Sequence, residues 1–266
     1  MTGPHEARAA GAFFALGWRR AAAERAALAG RLLLYLLILG IFWHLWRATP
    51  LEELASPGLG VPELLWYVAV TEWVAFAAGL PYREVEESIQ GGHIEAALVR
   101  PLPFAVATLA AWAGAACYRL IVLGAAGTAA AGWLTGTVPI GPAAVVPLRA
   151  AGALGCAIAL LFQLQLGYAA AWIGSSAPPF WIWQKLLFVL GGLLLPLHLY
   201  PEPLRTVAGL SPFAAILFAP GSLVLAPPAA EVAAALARQL VWLALIAGAT
   251  VLVDRATLGR LADRGI

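Results

Sequence analysis

Apolar runs of helical length recur along this chain, separated by short connectors rich in charge, proline or glycine. A run of about 20 apolar residues spans the ~30 Å hydrocarbon core of a bilayer as a helix, and in lipid every backbone N–H and C=O must be satisfied within the protein. Strict two-residue alternation is absent, which favours helices over a lipid-facing barrel. With 62% hydrophobic and only 11% charged residues, the chain is too apolar for an ordinary soluble domain. The expectation is an all-α integral membrane protein: six transmembrane helices, an amino-terminal interfacial helix and an extracytoplasmic re-entrant hairpin before the last span.

The chain reads as a single membrane domain over 1–266. Residues 1–27 spread Arg8, Arg19, Arg20 and Arg25 through a segment unlike a cleaved leader. Phe14 and Trp18 lie one turn apart, as do Arg20 and Glu24. That pattern fits an interfacial helix over anionic headgroups, the alternative being a plain extension of the first span. Spans follow at Leu28–Trp46, Pro62–Leu80, Phe104–Leu134, 143–174, Phe180–Tyr200 and Ala229–Val253. The third exceeds one crossing, so its first turns are expected along the interface. Gly191, Gly192 and Pro196 lie near the far end of the fifth. Residues 201–228 hold an apolar run cut by Pro220 and Gly221, read as a re-entrant or broken hairpin.

Lys and Arg set the orientation. With the amino terminus inside, Arg8, Arg19, Arg20, Arg25, Arg31, Arg83, Arg100, Lys185, Arg255, Arg260 and Arg264 fall on the cytoplasmic side, against Arg47 and Arg205 outside. Both termini are then cytoplasmic, and the expected location is a bacterial cytoplasmic (inner) membrane.

Residues 81–103, PYREVEESIQGGHIEAALVRPLP, place six charged residues between two nearly uncharged spans. Such a loop belongs in water, and its pattern fits two short amphipathic helices. In Tyr82–Gln90, Val85 and Ile89 share one face while Glu84 and Glu87 share another. Gly91 and Gly92 break that helix. In His93–Val99, Ile94 and Leu98 form the apolar stripe and Glu95 turns away, before Pro101 and Pro103 end it. The alternatives are a docking element and a solvated connector.

Ionisable residues within spans are expensive, roughly 2.5–3.5 kcal/mol each at mid-bilayer on insertion scales. Glu72, Arg119, Arg149 and Arg238 are therefore expected to face the bundle or one another. A Glu72–Arg119 pair between neighbouring spans would act as a structural clasp or as a substrate or gating element. Gln163 and Gln165 read as interhelical glue. Trp66, Tyr67 and Trp73 line a hydrophobic path or, preferably, serve as belt and packing aromatics. The two cysteines, Cys117 and Cys156, sit in apolar runs without metal spacing, and His44 and His198, far apart in sequence and without a carboxylate at metal spacing, read as structural or headgroup contacts. No catalytic residue, metal site or nucleic-acid partner is indicated.

The loop "IQGGHIEAALVRPLP" and the stretch "GGLLLPLHLYPEPLRTVAGLSPFAAILFAPGSLVL", in this six-span frame, resemble the type 2 ABC exporter permeases, in particular the small subgroup that comes as paired permease subunits. The specific pieces are Leu98, Val99, Arg100 and Pro101 on one side, and Pro196, Pro201, Leu210, Pro212, Phe213 and Pro220 on the other. The resemblance implies that the first loop is a coupling element seated in a groove of an ATPase subunit, with Glu84, Val85, Glu87, Ile89, His93, Ile94, Glu95, Leu98 and Arg100 as coupling residues. It also implies a gate hairpin bearing Pro196, Pro201, Pro212, Phe213 and Pro220.

No G-x-x-x-x-G-K-[ST] phosphate loop occurs in this chain, and the resemblance then implies that Mg-ATP is bound by a separate ATPase chain, two copies per complex, with a second permease that is identical or paralogous. Competing classes are a secondary transporter, which calls for similar halves or a mid-membrane ion site, and a lipid-modifying membrane enzyme, which calls for clustered Asp, His or Arg on loops. The only aspartates are Asp254 and Asp263, in the tail.

Overall fold

The computed structural model describes residues 4–49, 59–92, 94 and 102–263, and these residues contain helices and no strand. In chain order the helices are α1 (Pro4–Ala23), α2 (Arg25–Ala48), α3 (Val61–Ala78), α4 (Tyr82–Gln90), α5 (Phe104–Thr135), α6 (Pro142–Ile173), α7 (Ala177–Leu190), α8 (Glu202–Gly209), α9 (Pro212–Ile216), α10 (Phe218–Ser222) and α11 (Ala229–Asp263). Single 3-10 turns lie at Leu197–Leu199 and Leu223–Leu225. Five segments are long and apolar enough to cross a membrane: Arg25–Ala48, Val61–Gln90, Phe104–Thr135, Pro142–Ile173 and Ala229–Asp263. Leu33, Leu37, Ile41, Val241, Leu245 and Leu252 are exposed on α2 and α11. Apolar surface on that scale needs lipid or protein against it, so the protein is membrane-embedded.

α3 is the axis of the bundle. It is apolar on every side and buried on nearly every side, from Leu64 through Val74. Pro62 and the Glu63 carboxylate, which accepts the Gly60 N–H at 2.9 Å, start it. Four neighbours grip it through buried polar groups. The Tyr35 hydroxyl of α2 donates to Ala69 O at 2.7 Å, and the Trp73 indole donates to Leu120 O of α5 at 2.7 Å. The Cys156 thiol of α6 reaches Val74 O at 3.6 Å. Beyond α7, Gly192 O accepts from Tyr67, and Leu193 O accepts from Thr71 at 2.7 Å.

These contacts also fix direction. α2 and α3 are antiparallel, since Arg31 meets Phe76 O while Tyr35 meets Ala69 O. α6 and α11 are parallel: Gln239 pairs with Ala151, Gln165 with Thr250, Tyr168 with Asp254 and Trp172 with Thr257, rising together along both helices. The chain between them must therefore travel from one end of the bundle to the other. Phe180 at the start of α7 stacks on Tyr82, and Gly192 beyond its end meets Tyr67. As a result α1, α4, the start of α5 and the end of α11 gather at one end.

The expectation for the fifth span needs correction, and the packing of the other helices adds detail. The fifth span is not a helix over Phe180–Tyr200: α7 has 14 residues, about 21 Å, and stops before Gly191 and Gly192, where the Leu187 and Phe188 carbonyls are capped by the Gly191 and Leu193 N–H groups. α1 is separated from α2 by a break at Glu24 and packs lengthwise on the first half of α5. There Gly17 and Gly114 allow backbone contact with Ala111 and Phe14, and Trp18 meets Tyr118 edge-on at 5.4 Å. α5 is one unbroken helix of 32 residues. The tail residues Asp254, Arg255 and Arg260 continue α11, and Arg260 lies 4.7 Å over the Trp172 ring.

Candidate functional site

The charged segment after α3 folds into α4, a nine-residue helix that runs alongside the last turns of α6, from Gly167 to Gly174, at one end of the bundle. Its amphipathic pattern decides its pose. Tyr82, Val85 and Ile89 are buried, while Arg83, Glu84, Glu87 and Gln90 are exposed. The Tyr82 ring stacks on Phe180 with centroids 4.4 Å apart. Beneath Val85 the α6 backbone comes so close that a Cβ on Gly167 would stand 2.5 Å from Val85 Cβ.

Polar contacts complete the seat. The Gln90 amide donates to Gly174 O at 2.9 Å, and the Glu86 carboxylate accepts the Ser176 N–H at 3.1 Å. Glu84 accepts from the Trp112 indole of α5 at 3.1 Å and lies 3.9 Å from Arg20 of α1. Arg20 also donates to Glu24 at 3.0 Å, and this hydrogen bond, followed by the charge of Glu84, raises its pKa above the ordinary arginine value. α4 thus touches α1, α5, α6 and α7, and a push on its outer face is delivered to four helices.

This geometry corrects the expected division of labour. Val85, Ile89 and Ile94 are buried in the chain's own core, so the apolar stripe is not a surface for a partner. The stripe was satisfied internally because the ends of α6 and α7 supply a closer apolar floor. What α4 presents outward is Arg83, Glu84, Glu87 and Gln90. His93, Glu95, Leu98 and Arg100, with Val99 and Pro101, lie outside the described residues.

At the opposite end, residues 191–228 fold into broken pieces rather than one helix. α8 lies exposed with a surface Arg205–Glu202 pair. Ser211 caps α9 by accepting the Ala214 N–H at 3.4 Å, and Pro212 begins it. α9 and α10 then insert among α3, α6 and α11. Ile216 O sits so close to Gly155 that any Cβ there would overlap it, and Gly155 is 13 residues, about 20 Å, along α6 from its start at Pro142. The Gln239 amide locks that depth by donating to Ala151 O and Ala215 O, each at 2.8 Å. Pro196 and Pro220 are buried, Pro212 and Phe213 half-buried and Pro201 exposed; Phe213 stacks on Phe162 at 6.0 Å.

The intramembrane charges do not form the expected clasp. Among the described residues the ion pairs are Arg20–Glu24, Arg20–Glu84 and Arg205–Glu202, and Glu72 with Arg119 is not one of them. Glu72 is 6% exposed, and no donor among the described residues reaches its carboxylate. Arg119 is not at mid-bundle but level with Gly79, at the end of α3, where its Nε donates to Ala115 O at 3.1 Å. Arg149 and Arg238 are exposed, each within three turns of a helix start, where a long side chain can snorkel to the headgroups, and each also borders a cavity, Arg149 the large one between α2, α3, α5 and α6 and Arg238 a small one beside α9 and α10.

Gln165 does bridge helices, donating to Thr250 Oγ1 at 2.8 Å, whereas Gln163 is fully buried with both amide atoms unpaired among the described residues. Trp66 and Trp73 line an apolar cavity of about 840 Å³ between α2, α3, α5 and α6, while Tyr67 faces the other way. No cluster of metal-ligating side chains occurs among the described residues.

Compared with known proteins, the chain matches no family model and no curated relative.

Proposed function

We propose that this chain is the membrane-spanning permease subunit of an ATP-driven ABC exporter, of the kind the type 2 exporter permeases represent. The observation that carries the reading is α4: a short helix with an acidic outer face, clamped to four helices at the end of the bundle where α1 and the end of α11 also lie. In this reading that end is cytoplasmic in a bacterial inner membrane, and both termini lie there. The chain makes six passes, the fifth formed by α7 and the stretch to Tyr200 that carries the 3-10 turn at Leu197–Leu199. Residues 201–228 are an outer re-entrant hairpin.

Two copies of a separate ATPase would bind Mg-ATP and close on each other, and a second permease would complete the pathway. The work of this chain is mechanical. Displacement of α4 is passed through the Tyr82–Phe180 stack to α7 and through Glu84 and Trp112 to α5. Along α3, the Tyr67 and Thr71 bonds to Gly192 and Leu193 connect that motion to the hairpin. Closely packed helices behave as rigid levers because their interiors have little free volume.

The test is extraction of the tagged full chain from native membranes in mild detergent. The reading expects a phosphate-loop ATPase to co-purify in a fixed ratio and to lose hydrolysis when its own catalytic residue is changed. Recovery of the chain with no ATPase, across several mild detergents, would refute the motor-driven reading.

A further inference from the structure

A cavity of about 250 Å³ lies where α1, α2, the end of α3 and α5 meet, beside α4. Three arginines line it, Arg20, Arg31 and Arg119, with two carboxylates, Glu24 and Glu84. Arg20 engages both carboxylates, at 3.0 Å and 3.9 Å. The remaining two arginines have no ion-pair partner among the described residues. Each makes only a backbone contact, Arg31 Nη1 to Phe76 O at 3.4 Å and Arg119 Nε to Ala115 O at 3.1 Å.

Their guanidinium groups converge on one spot. Measured from the place a Cβ would occupy on Gly79, Arg119 Nη1 is 2.7 Å away and Arg31 Nη1 is 3.3 Å away. Two like charges held this close repel, and an anion between them offsets that repulsion; the Glu24 and Glu84 carboxylates of the same cavity do so only in part, being engaged by Arg20. Both are half-buried, which strengthens the repulsion. Guanidinium forks match the oxygens of a phosphate, to which they donate paired hydrogen bonds.

We infer that Arg31 and Arg119 form a binding site for a phosphate-type oxyanion at the α4 end of the bundle, Arg20 being occupied by Glu24 and Glu84. The inference is independent of the transporter reading. The anion is the phosphodiester of a membrane lipid or a soluble phosphate, and the two share the same recognition chemistry.

The test uses the delipidated full-length chain in detergent, by native mass spectrometry with added dioleoyl phosphatidylglycerol. Dioleoylglycerol, which has the same tails and no phosphate, is the control. Bound phosphatidylglycerol should exceed bound dioleoylglycerol, and Arg31→Gln or Arg119→Gln should weaken it about tenfold, the effect of losing one charge-assisted contact. Arg119→Lys, which keeps the charge and loses the fork, should recover part of the binding. Displacement of the lipid by millimolar inorganic phosphate supports the site and assigns it to the soluble anion. Persistence of the lipid supports the site and assigns it to the headgroup. Equal retention by the wild type and both glutamine variants, at unchanged thermal stability, overturns the inference. So does equal binding of dioleoylglycerol. Should either glutamine variant fail to fold, Arg119→Lys carries the comparison, and full wild-type affinity in it, with no loss from removing the fork, counts against the site.

Discussion

The seat of α4 rests on one missing side chain, and restoring it should be felt. In Gly167→Ala the new Cβ would stand 2.5 Å from Val85 Cβ and 2.8 Å from Tyr82 O. Ordinary contact between such atoms is about 3.5–4.0 Å, so α4 must retreat by about 1 Å. Overpacking of this kind costs about 1–3 kcal/mol, while Gly to Ala in a helix returns roughly 1 kcal/mol. Gly30→Ala supplies the matched control, because nothing beyond its own stretch of helix lies within 4 Å of its Cβ and it collects only the propensity gain. The difference between the two variants isolates the clash, about 1–3 kcal/mol. It is measured by unfolding each variant reversibly in mixed micelles. Adding Val85→Ala to Gly167→Ala removes only the Val85 Cγ1 contact at 2.9 Å and keeps the Cβ and Tyr82 O clashes, so it should relieve a small part of the loss in the double-mutant cycle. Equal stability of Gly167→Ala and Gly30→Ala would show that α4 does not sit on α6 as described.

Tyr67→Phe removes the donor to Gly192 O and should destabilise by about 1 kcal/mol, with the loss confined to residues 191–195 in amide hydrogen exchange. Gln239→Leu removes the tie between Ala151 O and Ala215 O and should cost about 0.6–2 kcal/mol, read as faster protease cleavage within 201–228. Arg205→Ala breaks only an exposed pair on α8, and its effect should stay within about 0.5 kcal/mol in the same unfolding assay.

Helical membrane character was legible from apolar run length and the absence of two-residue alternation, because lipid leaves the backbone only helices or closed barrels. The helix Tyr82–Gln90 was legible to the residue, since its pattern and its Gly-Gly stop act locally. Its orientation was not. Whether Val85 and Ile89 meet a partner or α6 depends on Gly167, about eighty residues away. The same limit hid the axis of the bundle: α2, α3 and α11 are all apolar runs, yet only α3 is enclosed, and composition does not distinguish a protein-facing Leu from a lipid-facing one. The Phe180–Tyr200 run stops being a helix at Gly191 and Gly192, a pair that in sequence alone fits close backbone packing as well as a helix stop. The Glu72–Arg119 clasp failed on depth. α5 runs far past the end of α3, so residues at similar distances from the two helix midpoints do not lie at the same level. Gln239 was missed because one amide in an apolar helix gives no sign of which broken backbone it will satisfy.

The claim that α4 is the docking element for a motor is tested most directly by single-cysteine crosslinking in native membranes. Glu87→Cys, on the exposed face, should form a specific crosslink to a phosphate-loop ATPase that changes with added nucleotide, while buried Val85→Cys should not. Absence of any crosslink from Arg83→Cys, Glu84→Cys and Glu87→Cys, or labelling of Glu87→Cys by an impermeant reagent applied only from outside the cell, would contradict it.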